Sequence, residues 1–133
     1  MPDRYFKPGD VRALIPALTE IMEGVMAANE GAAEARESLR AEQQRITFSG
    51  GGVLDADRWR AARGRLQSLT ARIETALEEI GRLGGVTKDL GLGLVDFPHL
   101  RDGRVVNLCW KYGERDIGFW HGLDEGFAAR KPL

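Results

Sequence analysis

The sequence predicts an α+β protein, a long antiparallel two-helix coiled-coil hairpin with a small C-terminal antiparallel β-sheet packed on its base. Three observations lead there. Apolar or small residues recur at alternating three- and four-residue steps in two stretches: Val11, Leu14, Leu18, Ile21, Val25, Ala28, Ala32, Ala35 and Leu39, then Trp59, Ala62, Leu66, Leu69, Ile73, Ala76, Ile80 and Leu83. This is the spacing of a coiled-coil seam. If the chain folds back near Gly51, the numbers of facing residues add to a constant 101, from Leu18 with Leu83 to Leu39 with Ala62. Small residues then meet larger ones, Ala28 with Ile73, Ala32 with Leu69 and Ala35 with Leu66, as interdigitating layers require. Beyond Gly85 the pattern changes to the two-residue alternation of strands.

Each element follows from local chemistry. Pro8 suits a first helical position, because its missing N–H has no partner to lose there, and Asp10 places an acid at the positive end of the helix. Phe6 is placed to staple onto Val11. Pro16 removes one backbone bond and predicts a kink, after which the first helix continues to about Ile46. Ser49 to Gly52 form the turn. Asp55 is the N-cap of the second helix, and Gly84 and Gly85 end it through a left-handed C-cap. Ile15, Met22 and Leu77 widen the apolar stripe near the base, where something must cover them. Short strands at Val86 to Leu90, Leu94 to Phe97, Arg104 to Tyr112 and Arg115 to His121 supply that cover, with turns at Asp102-Gly103 and Tyr112-Gly113. Val106, Leu108, Trp110 and Tyr112 share one face, as do Ile117, Phe119 and His121 on the last strand, opposite Trp120.

A chain of 133 residues, 43% of them hydrophobic, suits one domain, 1–133, divided into the hairpin over about 8–84 and the β module over about 85–133. No apolar run approaches the roughly 20 residues of a membrane span, and Met1 to Lys7 lacks the features of a signal peptide. A cytoplasmic protein without membrane contact is the expectation. Cys109 is the single cysteine, which excludes an intramolecular disulfide, and its mid-strand position suits a buried inert thiol. A formal net charge of −1 gives no general attraction to nucleic acid.

The charge is unevenly distributed. Between Arg36 and Arg65, around the hairpin tip, seven arginines stand against four acids. Residues 8–35 carry Arg12 against Asp10, Glu20, Glu23, Glu30 and Glu34. Cations near the start of a helix oppose its dipole, so Arg58, Arg60 and Arg63 have no local stabilising role. Arg58, Arg63 and Arg65 flank the seam at positions where ion pairs select partners. Trp59 falls opposite Glu42, a poor closure for an intrachain seam. These residues form a candidate interface of Trp59, Glu42, Arg58, Arg63 and Arg65, with the positive tip of one hairpin on the acidic base of another in an antiparallel homodimer or four-helix bundle. A non-enzymatic interaction protein is the first functional reading, and a different protein partner would use the same surface.

The second reading is a metal-binding protein, extending to a metal-dependent hydrolase. His121 and Asp124, joined by Asp96 and Glu114, are its candidate ligands for Zn, Fe or Mn, since imidazole and carboxylates together hold such ions. Glu114 or Glu125 would be the general base. No spacing specifies a reaction, so catalytic residues are unassigned and no organic cofactor is expected. Cys109 with His121 fits the types of a nucleophile and base, but a mid-strand thiol is more often structural.

Leu94-Val95-Asp96-Phe97-Pro98, Gly103-Arg104-Val105, Cys109-Trp110, Gly113-Glu114, Trp120-His121 and the closing Gly126-Phe127, Arg130 and Pro132-Leu133 resemble a bacterial family, domain-of-unknown-function family 2203. Tyr5-Phe6 and Leu14-Ile15-Pro16 resemble its opening. The resemblance implies a helical hairpin with a small β module and brings no activity, cofactor or catalytic residue. Lys7, His99, Ala129 and Lys131 depart from the pattern.

Overall fold

The computed structural model describes residues 4–48 and 55–133, and the expected turn at Ser49 to Gly52 lies outside them. Helix α1 spans Pro8–Phe48 and α2 spans Ala56–Leu83. With 41 residues, α1 is a rod about 60 Å long. At its start the Asp10 carboxylate accepts the Lys7 backbone N–H at 2.9 Å. That is the reaching-back half of a capping box, which works whatever side chain the cap residue carries. Pro16 lies inside the helix without ending it. Asp55 caps α2 by accepting the Arg58 N–H at 3.1 Å.

The end of α2 is fixed by two glycines. Gly84 adopts the left-handed conformation at φ 99°, and its neighbour's N–H bonds the Ile80 carbonyl at 3.1 Å, closing a Schellman-type cap. Space matters as well. A Cβ on Gly84 would stand 2.2 Å from the Phe6 ring, and one on Gly85 would stand 2.6 Å from Val95.

The two helices pack along their length close to the expected register. Gly31 sits against Leu69, so close that a Cβ there would lie 2.9 Å from the leucine Cδ1. Arg65 reaches Glu34 at 3.6 Å in the next layer toward the tip.

Five strands follow as an antiparallel meander in chain order: β1 Val86–Asp89, β2 Leu94–Arg101, β3 Arg104–Lys111, β4 Phe119–Gly122 and β5 Lys131–Pro132. The β2–β3 hairpin turns at Asp102 and Gly103, both with positive φ, as a tight two-residue hairpin requires. Arg101 therefore pairs with Arg104, and the register runs back through Asp96 with Cys109 to Leu94 with Lys111.

Alternation gives the sheet two faces. Val95, Phe97, Val106, Leu108 and Trp110 are buried in one core with Val11, Ile15, Leu18, Met22 and Ile80 of the helices. The sheet thus covers the widened apolar stripe, leaving Ile15 and Met22 buried. Phe6 stacks edge-on against Phe97 at 5.1 Å, its N–H bonds the Pro98 carbonyl, and His99 Nδ1 lies 2.6 Å from the Phe6 carbonyl. Tyr112 donates to Glu23 at 2.9 Å, and Arg12 pairs with Asp116 at 2.6 Å, fastening the sheet to α1.

The structure corrects two strand boundaries and adds a fifth strand. β2 does not stop before Pro98 but continues to Arg101. The Pro98 carbonyl points to Phe6, so its ring nitrogen faces the side where β1 has already ended and no N–H is needed. The last long strand starts at Phe119, not Arg115. Asp116 accepts the N–H of Ile117 and holds Arg12, bending the chain so that Ile117 enters the helix-side core instead of sharing a strand face with Phe119. The two-residue β5 is too short for alternation to show. Among the described residues, no helix is long and apolar enough to cross a membrane.

Candidate metal centre

The face of the sheet turned away from the helices carries a buried polar cluster. Asp96 on β2 lies directly opposite Cys109 on β3, and the next outward position on β3, Asn107, lies opposite His121 on β4. Three adjacent strands thereby bring Asp96, Cys109 and His121 together. One ligand atom from each lies within 4.8 Å of the others, and the residues are 2%, 1% and 3% exposed.

The histidine is held in a defined state. Its Nδ1 lies 2.9 Å from the Gly122 carbonyl, an acceptor only, so this nitrogen carries the hydrogen and donates. Nε2 faces both carboxylate oxygens of Asp96, each at 3.1 Å. The carboxylate offers only lone pairs toward Nε2, so either a proton or a metal ion belongs between them. A backbone carbonyl on the remote ring nitrogen is the usual outer support of a metal-ligating histidine. Burial pushes the Cys109 thiol up to about 11, the Asp96 charge adds to this, and Arg130 opposes it.

Around the cluster, Arg130 forms two bonds to Glu114, at 3.0 and 3.1 Å, and its guanidinium lies over the rings of Phe119 and Phe127. Glu114 also accepts the Lys111 N–H at 2.7 Å. Glu125 accepts the Gly122 N–H at 2.8 Å and pairs with Lys131 at 2.6 Å, and the lysine first, then the N–H, hold its carboxyl below the usual range. A pocket of about 140 Å³ opens on the three cluster residues, with Lys88, Asn107, Glu125 and Phe127 in its walls.

Of the four ligands expected from the sequence, the structure brings His121 and Asp96 together. Asp124 is exposed on the turn after β4, and Glu114 is engaged by Arg130. Cys109, expected to be inert, is the third member of the cluster. The tight turn at Asp102-Gly103 was the signal that could have revealed it, because that turn alone sets Asp96 opposite Cys109. The second histidine, His99, ties down the N-terminal segment.

At the far end of the hairpin, Glu42 is buried and does not simply face Trp59. Arg45 grips its carboxylate, with the closer contact at 2.6 Å, and the Asp55 N–H donates to it at 3.2 Å. The carboxyl is held below the usual range by Arg45 first and by that N–H second. Trp59 is half-buried. Arg60 pairs with Asp57 and Arg65 with Glu34, whereas Arg58 and Arg63 make no ion pair among the described residues.

A family model described as an uncharacterized conserved protein, DUF2203, matches residues 4–133. No curated protein and no solved structure matches the chain.

Proposed function

The chain belongs to the DUF2203 family of uncharacterized conserved proteins, so its function has to be read from its own geometry, and we propose that it is a metal-binding protein whose ion is held by Asp96, Cys109 and His121. One observation carries this reading: buried His121, its Nδ1 held by the Gly122 carbonyl, turns Nε2 onto the Asp96 carboxylate beside a buried thiol. A proton between imidazole and carboxylate would answer two of these groups. A metal ion answers all three.

The donor set narrows the ion. Thiolate is a soft ligand and imidazole a borderline one, which together favour zinc and disfavour manganese. Ligand atoms around a tetrahedral zinc stand about 3.5 Å apart, close to the 3.1 Å between His121 and Asp96. A cytoplasmic setting, which keeps a lone cysteine reduced, fits a thiolate ligand. Calorimetric titration with zinc should give one site per chain, with affinity falling at least 100-fold in Cys109→Ser and in His121→Ala. Equal affinity in all three proteins would refute the assignment.

A second reading concerns the hairpin and rests on its charge and surface. A groove of about 480 Å³ between the helices, lined by Ala17, Ile21, Gly24, Val25 and Ala76, is rimmed by Glu20 and Glu79 together with Arg72, two acids to one base. Arg58 and Arg63 lie near the opposite end of the hairpin without ion-pair partners among the described residues. We propose that a second copy, running antiparallel, lays its arginine-rich tip along this acidic rim as a homodimer. Light scattering should report a dimer that Arg58→Glu combined with Arg63→Glu converts to monomer. A wild-type monomer, or a dimer indifferent to both changes, would dispose of this reading.

A further inference from the structure

Three protein ligands leave a tetrahedral ion one position short. Structural zinc sites fill that position with a fourth side chain, whereas sites that handle an exogenous ligand leave it open. The other carboxylate in the pocket wall is Glu125, and its Oε1 is engaged by the Gly122 N–H at 2.8 Å and the Lys131 ammonium at 2.6 Å. The pocket that opens on Asp96, Cys109 and His121 has a volume of about 140 Å³. A water's share of liquid volume is about 30 Å³, so this is room for a ligand of only a few heavy atoms. Drug-sized ligands occupy pockets of about 300 Å³ upward.

The charges around that space are uneven. The two charges of a divalent ion would be matched by the Asp96 carboxylate and the Cys109 thiolate. Arg130 is matched by Glu114, and Lys131 by Glu125. Lys88 also lines the pocket and makes no ion pair among the described residues. One positive charge, on the exposed Lys88, is therefore left without an ion pair in the pocket wall, which also holds the amide of Asn107, while Leu94, Leu123 and Phe127 supply apolar wall. Resting on the metal reading above, we infer that the ion keeps its fourth position open to this pocket and takes a small monoanion there, a short carboxylate, with Lys88 as its charge partner.

Cobalt(II), which follows zinc into such sites and has visible absorption bands sensitive to its ligands, makes the test direct. The full-length protein is loaded with cobalt and titrated with sodium azide and with sodium acetate. Both anions should shift the visible bands saturably, and Lys88→Ala should weaken azide about tenfold, the effect of losing one partly screened charge contact. Glu125→Gln should keep the azide response. Cobalt bands that form but ignore both anions would overturn the open position while leaving the metal site standing. A response that appears only in Glu125→Gln would show that Glu125 fills the fourth position, and would overturn the proposal equally. Absence of any thiolate-to-cobalt band would overturn the metal reading itself, and this inference with it.

Discussion

His121 Nε2 stands 3.1 Å from both carboxylate oxygens of Asp96, across two strand boundaries and with neither residue more than 3% exposed. Burying a carboxylate is costly unless it is paired and hydrogen-bonded, so this pair marks a place where the β module gives up apolar packing for polar chemistry. Cys109 brings a third donor to the same point. The long hairpin supplies a rigid base for this arrangement, because Ile15, Met22 and Leu18 hold the opposite face of the same sheet.

Metal binding should be coupled to protons. The Cys109 thiol is pushed up to about 11 by burial and by Asp96, so without metal it is protonated at neutral pH, and an ion that needs the thiolate must displace that proton. Calorimetric titrations with zinc in buffers of differing ionisation enthalpy should show release of at least one proton per ion near pH 7. Release of none would contradict the thiolate ligand.

The same shift has a sign for stability of the metal-free protein. The folded thiol holds its proton above the ordinary value of 9.0, so the folded state binds more protons than the unfolded one between pH 9.0 and about 11. Its contribution is complete below pH 9.0 and is lost as pH rises toward 11. Cys109→Ser, compared with wild type by denaturant unfolding across that range, should flatten part of the alkaline decline. Parallel curves would contradict it.

Gly84 should be intolerant of any side chain. It combines φ 99° with a Phe6 ring 2.2 Å from where a Cβ would stand. Gly84→Ala should cost about 2 to 4 kcal/mol, from left-handed strain together with overpacking. Gly81→Ala is the control, since nothing lies within 4 Å of a Cβ there. Similar melting temperatures for the two variants would refute this account of the helix end.

Glu42 should hold the start of α2 against the end of α1. Its carboxyl lies below the ordinary value of 4.5, so its contribution is complete above that pH and disappears as acid protonates it. Glu42→Ala should speed hydrogen exchange at Asp55 and in the first turn of α2, while leaving Ile73 to Ile80 protected. Uniform exchange along both helices, or no change at Asp55, would contradict the role.

Much of this fold was legible because it is periodic. The two seams, the Asp55 cap and the Gly84 end are local signals that the structure reproduces. What escaped were features decided by partners distant in sequence. Pro98 looked like a strand end, but its missing N–H costs nothing where β1 has stopped. Asp116 looked like a strand residue, but its bonds to Ile117 and Arg12 bend the chain. Asp96 and His121 were legible as residue types for a metal, whereas Cys109 required the hairpin register to be extended from Asp102-Gly103 back to Leu94. Asp124 shows the converse limit. A three-residue spacing from His121 suggests a shared ion only on a helical turn, and His121 lies on a strand.

The most direct test of the central claim is a crystal of the protein grown with zinc and measured on both sides of the zinc absorption edge. One anomalous peak per chain is expected, within bonding distance of Asp96 Oδ, Cys109 Sγ and His121 Nε2. Peaks only at surface residues, with the His121–Asp96 contact intact and Cys109 unligated, would contradict it.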